Sequence, residues 1–389
     1  MSMPWKERTV MSERQRFVAE ALAQETSFAA LCRAYGISRK TGYKWLSRVR
    51  EGASLESQSR APHNRPHKTP PEMEQLVLEY RDRHPTWGAR KLCRDMSNHG
   101  ETGIPSKSTV DNILRRNNRI DPEASEAATP YQRFEHSHPN DLWQMDHKGD
   151  FEMLDRNRCF PLTVLDDHAR FALCLEACGN RTFETFSPVF TRVLEEYGLP
   201  RAILSDNGAP WGDSHGGITA FDVWMMRLGV LPIHGRPLHP QTQGKDERFH
   251  RTLNQELLKR RPMRDLQDAQ SAFSAWREIY NTERPHHALH LDVPAAHYKP
   301  SKRSLADADR PVEYDSGAIL RKINYKGYIS ILQHRYFISD SLIGEYVKLN
   351  YISEHVVGLQ YGTFEFAQID TEQRLIISKK RRRMPLEKV

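Results

Sequence analysis

Three acidic residues in the middle of the chain have the chemistry and the surroundings needed for phosphoryl transfer. Asp146 lies in the alternating apolar and polar segment DLWQMDHKGDF, Asp206 follows the apolar run AILS, and Glu247 lies in the run GKDERFHRTLNQELLKR. Carboxylates are the ligands that Mg²⁺ and Mn²⁺ prefer, and clustered anions raise one another's pKa unless cations are bound between them. Two such ions, roughly 4 Å apart, can hold the attacking and leaving oxygens of a phosphodiester. The three residues therefore predict a two-metal site that acts on nucleic acid.

The elements around these acids would bring them together at one edge of a sheet. Alternation predicts a strand around Asp146, and Asp206 stands at the carboxyl end of a second short strand. Glu247 is predicted to lie on a helix whose core-facing residues recur every four positions: Phe249, Leu253 and Leu257. At 100° per residue, Glu247 points about 200° away from Phe249 and therefore towards the site.

The same segments resemble a known family. WQMDHKGDF, ILSDNGAPW, HPQTQGKDERFHRTLN and the later YNTERPHHALHLDVPAAHY are similar to the catalytic core of integrase-type DDE transposases of bacterial insertion sequences, relatives of the retroviral integrases. The similarity covers residues 87–298 well and the two ends more loosely. It implies a central α/β ribonuclease-H-like core with a mixed five-stranded sheet. It also implies that Asp146, Asp206 and Glu247 are the catalytic residues and the ligands of two Mg²⁺ ions, with Mn²⁺ able to substitute.

DNA contacts are expected around this triad, from His239, Gln241, Lys245 and Arg251. His239 could instead only organise the HPQTQG loop. The family places a basic residue seven positions after the glutamate, where this chain has Asn254, so Arg251 is the better candidate to contact the transferred DNA end. A second departure is the longer segment between Asp206 and Glu247, in which WGDSHGGIT is the extra loop.

Three further acids near these segments have simpler interpretations. Asp166 and Asp167 follow an apolar strand, and we interpret them as a turn pair at its end rather than as metal ligands. Asp246 precedes Glu247 but lies a helical step of about 100° away from it, so it ranks below Glu247 as a ligand.

Residues 1–50 are predicted to form a helix-turn-helix DNA-binding domain. Ser12 and Gln15 make a capping-box pattern before the first helix, Gly36 ends the second helix, and Ser38 caps the third. The last helix of such a motif enters the major groove near its N-terminus. The expected DNA contacts there are Arg39, Lys40, Thr41, Tyr43 and Lys44. An ordinary helical hairpin with a solvated basic face is the alternative.

A second helix-turn-helix DNA-binding domain is expected at residues 70–120, where Ser106 can cap the last helix. The expected DNA contacts at its front and rear are Lys107, Ser108, Thr109 and Arg115. Residues 51–69 and 121–140 are polar and aperiodic, which predicts linkers. The first linker could follow DNA phosphates or be a solvated tether. The catalytic core then occupies residues 141–300.

Short alternating strands at near-regular spacing fill residues 301–389 and predict a small β-barrel with a basic tail. Turns are expected at Lys326-Gly327 and Tyr361-Gly362. The basic residues of this domain could contact DNA backbone, or the domain could serve assembly with its charges solvated.

Composition sets the broad class. The chain has 389 residues, 57 Lys and Arg against 50 Asp and Glu, and a pI near 9.1, which suits a polyanionic partner. No apolar run of membrane-spanning length and no apolar signal core occurs, so a bacterial cytoplasmic, nucleoid-associated protein is expected. The five cysteines form no CxxC pair and are expected to be buried free thiols.

Together these features predict a transposase that binds the terminal inverted repeats of its element and joins them to target DNA, as a homodimer or larger assembly. No membrane or small-molecule partner is expected. A DNA-binding regulator without catalytic activity and a metal-dependent nuclease are the alternatives.

Overall fold

The described part of the chain divides into two units. The computed structural model describes residues 9–57, 69–120, 136–208, 210–212, 217–235, 244–308, 310–378 and 382–383, and the units are Met1–Lys68 and Thr69–Val389. None of the helices in these ranges combines the length and the apolar character needed to cross a membrane.

Three helices make up the first unit: α1 (Val10–Ala23), α2 (Phe28–Ala34) and α3 (Arg39–Arg50). Ser38 caps α3, as the sequence predicts, but α1 begins earlier than predicted. Its capping box joins Thr9 to Ser12, because Thr9 can accept the Ser12 N–H while Ser12 returns a bond to the Thr9 N–H. The helices enclose a small core, and a Cβ on Gly42 would come within 2.8 Å of Cys32 Sγ, so α3 packs closely there.

The second unit begins with α4 (Pro71–Arg83), α5 (Ala89–Asn98) and α6 (Lys107–Arg116). Their shared core includes Val77, Trp87, Leu92, Ile113 and Leu114. Ser106 caps α6 by accepting the Thr109 N–H, as predicted. Arg116 ties the end of α6 to Glu74 on α4, with Nε 2.8 Å from Oε1.

A mixed sheet follows, built from β1 (Trp143–His147), β2 (Phe151–Glu152), β3 (Arg158–Asp166), β4 (Ala172–Cys178), β5 (Ala202–Ser205) and β6 (Leu231–His234). Strand β3 pairs antiparallel with β1 and β4, whereas β1, β5 and β6 run parallel. The sheet has six strands rather than five, because the first predicted strand breaks after His147. Gly149 adopts φ +70° there, which an extended strand does not allow.

Helices cover both faces of this sheet. On one face α7 (Phe183–Tyr197) packs with α8 (Ala220–Arg227) against Met145, Leu162 and Val164. On the other, α9 (Gly244–Leu253) and α10 (Leu266–Thr282) pack against Leu165 and Leu175. Alternate residues of β3 therefore serve opposite cores, as the pleat requires. After α9 comes a π-helical turn, Asn254–Leu258, in which the Lys259 N–H donates to Asn254 O at 2.9 Å.

Short helices α11 (Pro294–His297) and α12 (Leu305–Ala308) lead to the C-terminal strands: β7 (Leu320–Lys322), β8 (Tyr328–Ile331), β9 (His334–Phe337), β10 (Tyr346–Tyr351), β11 (Val356–Tyr361), β12 (Phe364–Asp370), β13 (Leu375–Ser378) and β14 (Arg382–Arg383). Positive φ at Gly327 and Gly362 confirms the two predicted turns.

The predicted small β-barrel is not confirmed. Among the described residues, the larger C-terminal sheet runs from β13 to β7 without closing, and β8 and β9 pair only with each other. The apolar side of these strands is covered by α8 instead: Val223 and Met226 belong to the same core, and Ser339 Oγ donates to Ile218 O at 2.6 Å. Because α8 buries that side, the sheet has no need to close upon itself.

The five cysteines are free. Four are buried, as expected, and Cys93 is half-buried. Burial raises the pKa of Cys159 to about 12, so this thiol stays protonated.

Candidate active site

The acids of β1 and β5 lie on neighbouring parallel strands. Trp143 pairs with Ile203 and Gln144 with Leu204, so two further residues along this register place Asp146 opposite Asp206. Asp146 is the penultimate residue of β1, and Asp206 directly follows β5. One carboxylate thus stands on each strand at the same edge of the sheet.

Glu247 lies in the first turn of α9, and its side chain is exposed. Phe249 and Leu253 are buried against α10, which confirms the predicted core face of this helix. Burial raises the pKa of Asp146 to about 7, with further contributions from the negative charges of Asp206 and Glu247. Asp206 and Glu247 are therefore close enough to influence the ionisation of Asp146.

Trp211 holds the carboxylate of Asp206. The indole N–H donates to Asp206 Oδ1, which also accepts the Gly208 N–H at 3.0 Å. The indole ring is fully buried and stacks on His147, with ring centres 5.0 Å apart. The sequence analysis missed this residue, and the available signal was its place five positions after Asp206 in DNGAPW.

His250 connects α9 to β1 and β3. Its Nε2 lies 2.9 Å from Thr163 Oγ1, and Thr163 donates its hydroxyl hydrogen to Asp146 O at 3.0 Å. Burial lowers the pKa of His250 to about 3, so the ring is neutral. Because the hydroxyl hydrogen is already donated, Nε2 carries the ring proton, and the bare Nδ1 faces Asp146 Oδ2 at 3.8 Å. This chain of contacts fixes the height of α9 above the β1 carboxylate.

A further contact chain supports the end of β5. His234 Nε2 lies 2.7 Å from Asp222 Oδ1, and its Nδ1 lies 3.2 Å from Asp206 O. Asp222 itself closes the capping box of α8 with Thr219. His234 thereby links α8 to the backbone of the residue that carries the second acid.

The turn acids have structural roles, as predicted. Asp166 accepts the N–H groups of Asn140 and Ala169, each at 2.7 Å. Asp167 accepts from Gln144 Nε2 at 2.7 Å and from the ammonium of Lys245. The side chain of Lys245 is 13% exposed, so its position does not support the expected DNA contact.

Asp246 is turned into the protein, opposite in character to its neighbour Glu247. Its side chain is fully buried, and neither carboxylate oxygen has a hydrogen-bond partner within the described ranges. Burial raises its pKa well above the usual value, and the charges of Asp146 and Asp167 add to this effect. This burial favours the protonated form of Asp246.

The expected DNA contacts fall into three groups. On α3, Arg39, Lys40, Tyr43 and Lys44 are exposed, whereas Thr41 is half-buried and bonds to the cap residue Ser38. On α6, Lys107, Ser108 and Arg115 are exposed and Thr109 is half-buried. Near the triad, Arg251 is exposed, while His239 and Gln241 lie outside the described residues. These DNA contacts remain predictions.

Within the described ranges, no three His, Cys, Asp or Glu side chains form a complete metal site. The chemistry of the donor set nevertheless suits a divalent cation. Asp146 is half-buried beside two other anions, and a cation would relieve the repulsion that raises its pKa. No described residue donates a hydrogen bond to Asp206 Oδ2, and Glu247 is exposed. Carboxylate oxygens of this kind fit Mg²⁺ or Mn²⁺.

Family models match both the helical segments and the mixed-sheet core of the chain. Two models described as "Integrase core domain" match residues 136–240 and 228–294. A "Helix-turn-helix domain" model matches residues 13–63, and a "Homeodomain-like domain" model matches residues 41–114.

Relatives come from insertion elements and a retrovirus. The chain is 26% identical over 170 residues to the insertion element IS407 uncharacterized 31.7 kDa protein of Burkholderia multivorans, which covers 44% of this chain and 59% of that protein. It is 26% identical over 181 residues to the insertion element IS476 uncharacterized 39.2 kDa protein of Xanthomonas euvesicatoria, covering 46% and 50%. A 127-residue stretch is 32% identical to the Gag-Pro-Pol polyprotein of squirrel monkey retrovirus, covering 32% of this chain and 6% of the polyprotein.

The chain thus spans between 50% and 59% of the length of these two insertion-element proteins. Among solved structures, a simian T-cell lymphotropic virus intasome in complex with PP2A regulatory subunit B56 gamma is 16% identical, with a TM-score of 0.36 over 75% of this chain and 96% of that chain. So low a score carries no argument. The family matches show that the chain contains an integrase core domain and helix-turn-helix domains, and its relatives include proteins of insertion elements.

Proposed function

We propose that this chain is a DNA transposase that binds the terminal inverted repeats of its insertion element, cleaves the 3′ ends and joins them to target DNA. The observation that carries the proposal is that Asp146 and Asp206 lie side by side at one sheet edge. The charge of Glu247 also acts on the carboxyl group of Asp146. A chain of the integrase-core family with this arrangement is suited to phosphoryl transfer.

Asp146, Asp206 and Glu247 are the residues that would hold two Mg²⁺ ions, with Mn²⁺ able to substitute. Bound ions of this kind lower the pKa of an attacking water or hydroxyl and stabilise the leaving oxygen. The chain's own residues pre-organise the ligands. Trp211 fixes one oxygen of Asp206, and the contacts of His250 hold α9, and with it Glu247, against β1.

Two in-line displacements at phosphorus would use the same residues. Water first attacks at the element boundary, and the 3′ oxygen of the element leaves as a hydroxyl. This hydroxyl then attacks a target phosphodiester, whose own 3′ oxygen leaves. No covalent bond between protein and DNA is needed, because water and the DNA hydroxyl are themselves the nucleophiles.

We assign DNA recognition to two helical segments, α1–α3 and α4–α6. The exposed front of α3 and that of α6 carry the basic and hydroxyl side chains that would reach bases and phosphates. Two element ends must be joined in one reaction, so a homodimer or a larger symmetric assembly is expected on DNA.

The test compares Asp146→Asn with Glu152→Gln, a matched carboxylate-to-amide change on exposed β2. Labelled DNA from the inverted repeats that flank the gene is incubated with each protein and Mg²⁺. Asp146→Asn should bind the ends as the wild type does and yield neither cleaved nor joined product, whereas Glu152→Gln should match the wild type in both assays. Joined product from Asp146→Asn would reject the site. Wild-type binding without any cleavage would favour a regulator instead.

A further inference from the structure

Basic side chains from three separate elements lie close to α9. The ring centre of Tyr280 on α10 is 4.9 Å from that of Phe249 on α9 and 4.6 Å from that of His286. Arg90 and Lys91 lie in the first turn of α5, Arg248 follows Glu247 on α9, and His287 lies in the turn after α10. We call these four residues the basic cluster. Arg90, Arg248 and His287 are exposed and Lys91 is half-buried, so Lys91 is the most enclosed of the four side chains.

A neighbouring ion pair brings these elements together. Glu256, in the π-helical turn after α9, accepts from Arg284 Nε at 3.0 Å, from Thr86 Oγ1 at 3.2 Å and from Trp276 Nε1 at 3.2 Å. Thr86 stands just before α5, and Arg284 just after α10. Glu256 therefore holds the residues just before α5 against the end of α9, and its charge is already balanced by that of Arg284.

The basic cluster itself has no such compensation. Over the ranges that the structure covers, none of its four side chains forms an ion pair with a carboxylate, although Arg94 on the next turn of α5 does, with Asp292 at 3.7 Å. Burial lowers the pKa of His287, and the charges that lower it further are those of Lys91, Arg90, Arg248 and Arg284. These charges lie near enough to His287 to disfavour its protonated form.

The same pattern is seen at the enclosed end of the basic cluster. Burial lowers the pKa of Lys91 to about 7, and Arg284 and Arg248 lower it further, against Glu256. Placing an anion here would satisfy groups that the folded chain leaves uncompensated.

The position of the basic cluster indicates which anion. Arg248 is adjacent in sequence to Glu247, and Arg90 and Lys91 belong to the helical unit assigned to DNA recognition. An anion bound between them would contact both the α4–α6 segment and α9. A phosphate of the DNA backbone has the required charge, and Arg and Lys are its usual ligands.

We propose that the basic cluster of Arg90, Lys91, Arg248 and His287 binds a backbone phosphate of the element end, and so sets how far the strand extends from the recognition unit to Glu247. This inference rests on the proposed function, since it assumes that element DNA is the ligand. None of its four residues belongs to the triad or to the DNA contacts expected from the sequence.

The test measures the salt dependence of end binding, in an Asp146→Asn background so that no cleavage occurs. The double variant Lys91→Met/Arg248→Met should lower the slope of log K against log salt by about 0.9 for each phosphate that it no longer neutralises. Between 50 and 200 mM salt, wild-type affinity should then fall about threefold more than that of the variant, for each such phosphate. Arg156→Met, at a side chain that is 89% exposed on the β2–β3 turn, is the control and should keep the wild-type slope.

A second measurement separates phosphate binding from a structural effect. Single uncharged methylphosphonate linkages are placed in turn along the element end. At one position the methylphosphonate should weaken DNA binding by the wild-type protein and have no effect on binding by the double variant. The Lys91→Arg variant, which keeps the positive charge, should show the wild-type sensitivity. An unchanged slope, or the same methylphosphonate effect in both proteins, would overturn the proposal. If the wild-type protein binds the DNA ends with this pattern but never joins them to target DNA, the result would count against the proposed function alone.

Discussion

Removing the carboxylate of Glu256 should be among the most destabilising single changes in the second unit. The side chains of Glu256 and Arg284 are each 11% exposed, so Glu256→Ala leaves a buried guanidinium without its partner. Breaking a buried ion pair in this way costs about 3–5 kcal/mol. Trp276 loses its acceptor as well, and an unsatisfied buried donor costs about 1–3 kcal/mol, whereas the exposed Thr86 hydroxyl can bond to water instead. These contributions overlap, so we expect the free energy of unfolding to fall by roughly 4 kcal/mol.

Equilibrium unfolding in urea, followed by tryptophan fluorescence, measures this decrease. Glu152→Ala is the control, because Glu152 pairs with Arg156 at 3.6 Å on the surface, with side chains 52% and 89% exposed. It should leave the midpoint nearly unchanged. Replacing the whole pair, as Glu256→Leu with Arg284→Met, should recover much of the stability, because no buried charge is then left alone. A decrease below about 1 kcal/mol for Glu256→Ala, or no recovery in the double variant, would refute the reasoning.

Three further predictions concern the site and the fold. Trp211→Phe removes the indole donor to the β5 carboxylate and should lower strand transfer about 10-fold or more, by analogy with the removal of other positioning groups, while end binding in gel shifts stays at the wild-type level. The pKa of Lys91 is about 7 in the free protein, and a bound phosphate would raise it, so the affinity for DNA ends should be highest below pH 7 and fall as the pH rises through the bound-state pKa. The Lys91→Arg variant should show a flat profile from pH 6 to 9 in the same titration. A wild-type profile just as flat would contradict the assignment. Gly198→Ala should lower the melting temperature far more than Gly344→Ala, since both have positive φ but only at Gly198 would the new Cβ come within 2.6 Å of Ser301 O; equal shifts in calorimetry would exclude steric crowding as the cause.

The sequence predicts elements where local patterns decide the structure. Ser38 and Ser106 cap the helices they were expected to cap, because the capping bond joins residues only three apart. The core face of α9 follows directly from helical periodicity. The order of strands and helices in the catalytic core was expected from the family resemblance, and the sheet departs from it only where the short β2 adds a sixth strand.

Features set by distant contacts could not be predicted in this way. The open C-terminal sheet depends on α8, which lies more than a hundred residues earlier in the chain and covers its apolar side. Lys245 is expected from the sequence to contact DNA, and its ammonium pairs with Asp167, which lies 78 residues earlier in the chain. In the sequence Trp211 is only an apolar residue near a motif, whereas in the structure its indole N–H donates to Asp206. In each case the deciding partner is remote in sequence or carries no periodic signal.

The π-helical turn at Asn254–Leu258 changes how residues after α9 should be counted. Its extra residue delays everything that follows by one position, so Lys259 takes the direction that residue 258 would have in an uninterrupted α-helix, eleven residues after Glu247 and on the same side. A cation seven residues along would stand about 10 Å from the glutamate, whereas one at this point stands about 16 Å away. At roughly 3.4 Å per nucleotide along a duplex, a phosphate held by Lys259 would belong to a nucleotide about two steps farther along the strand than in relatives with the usual spacing.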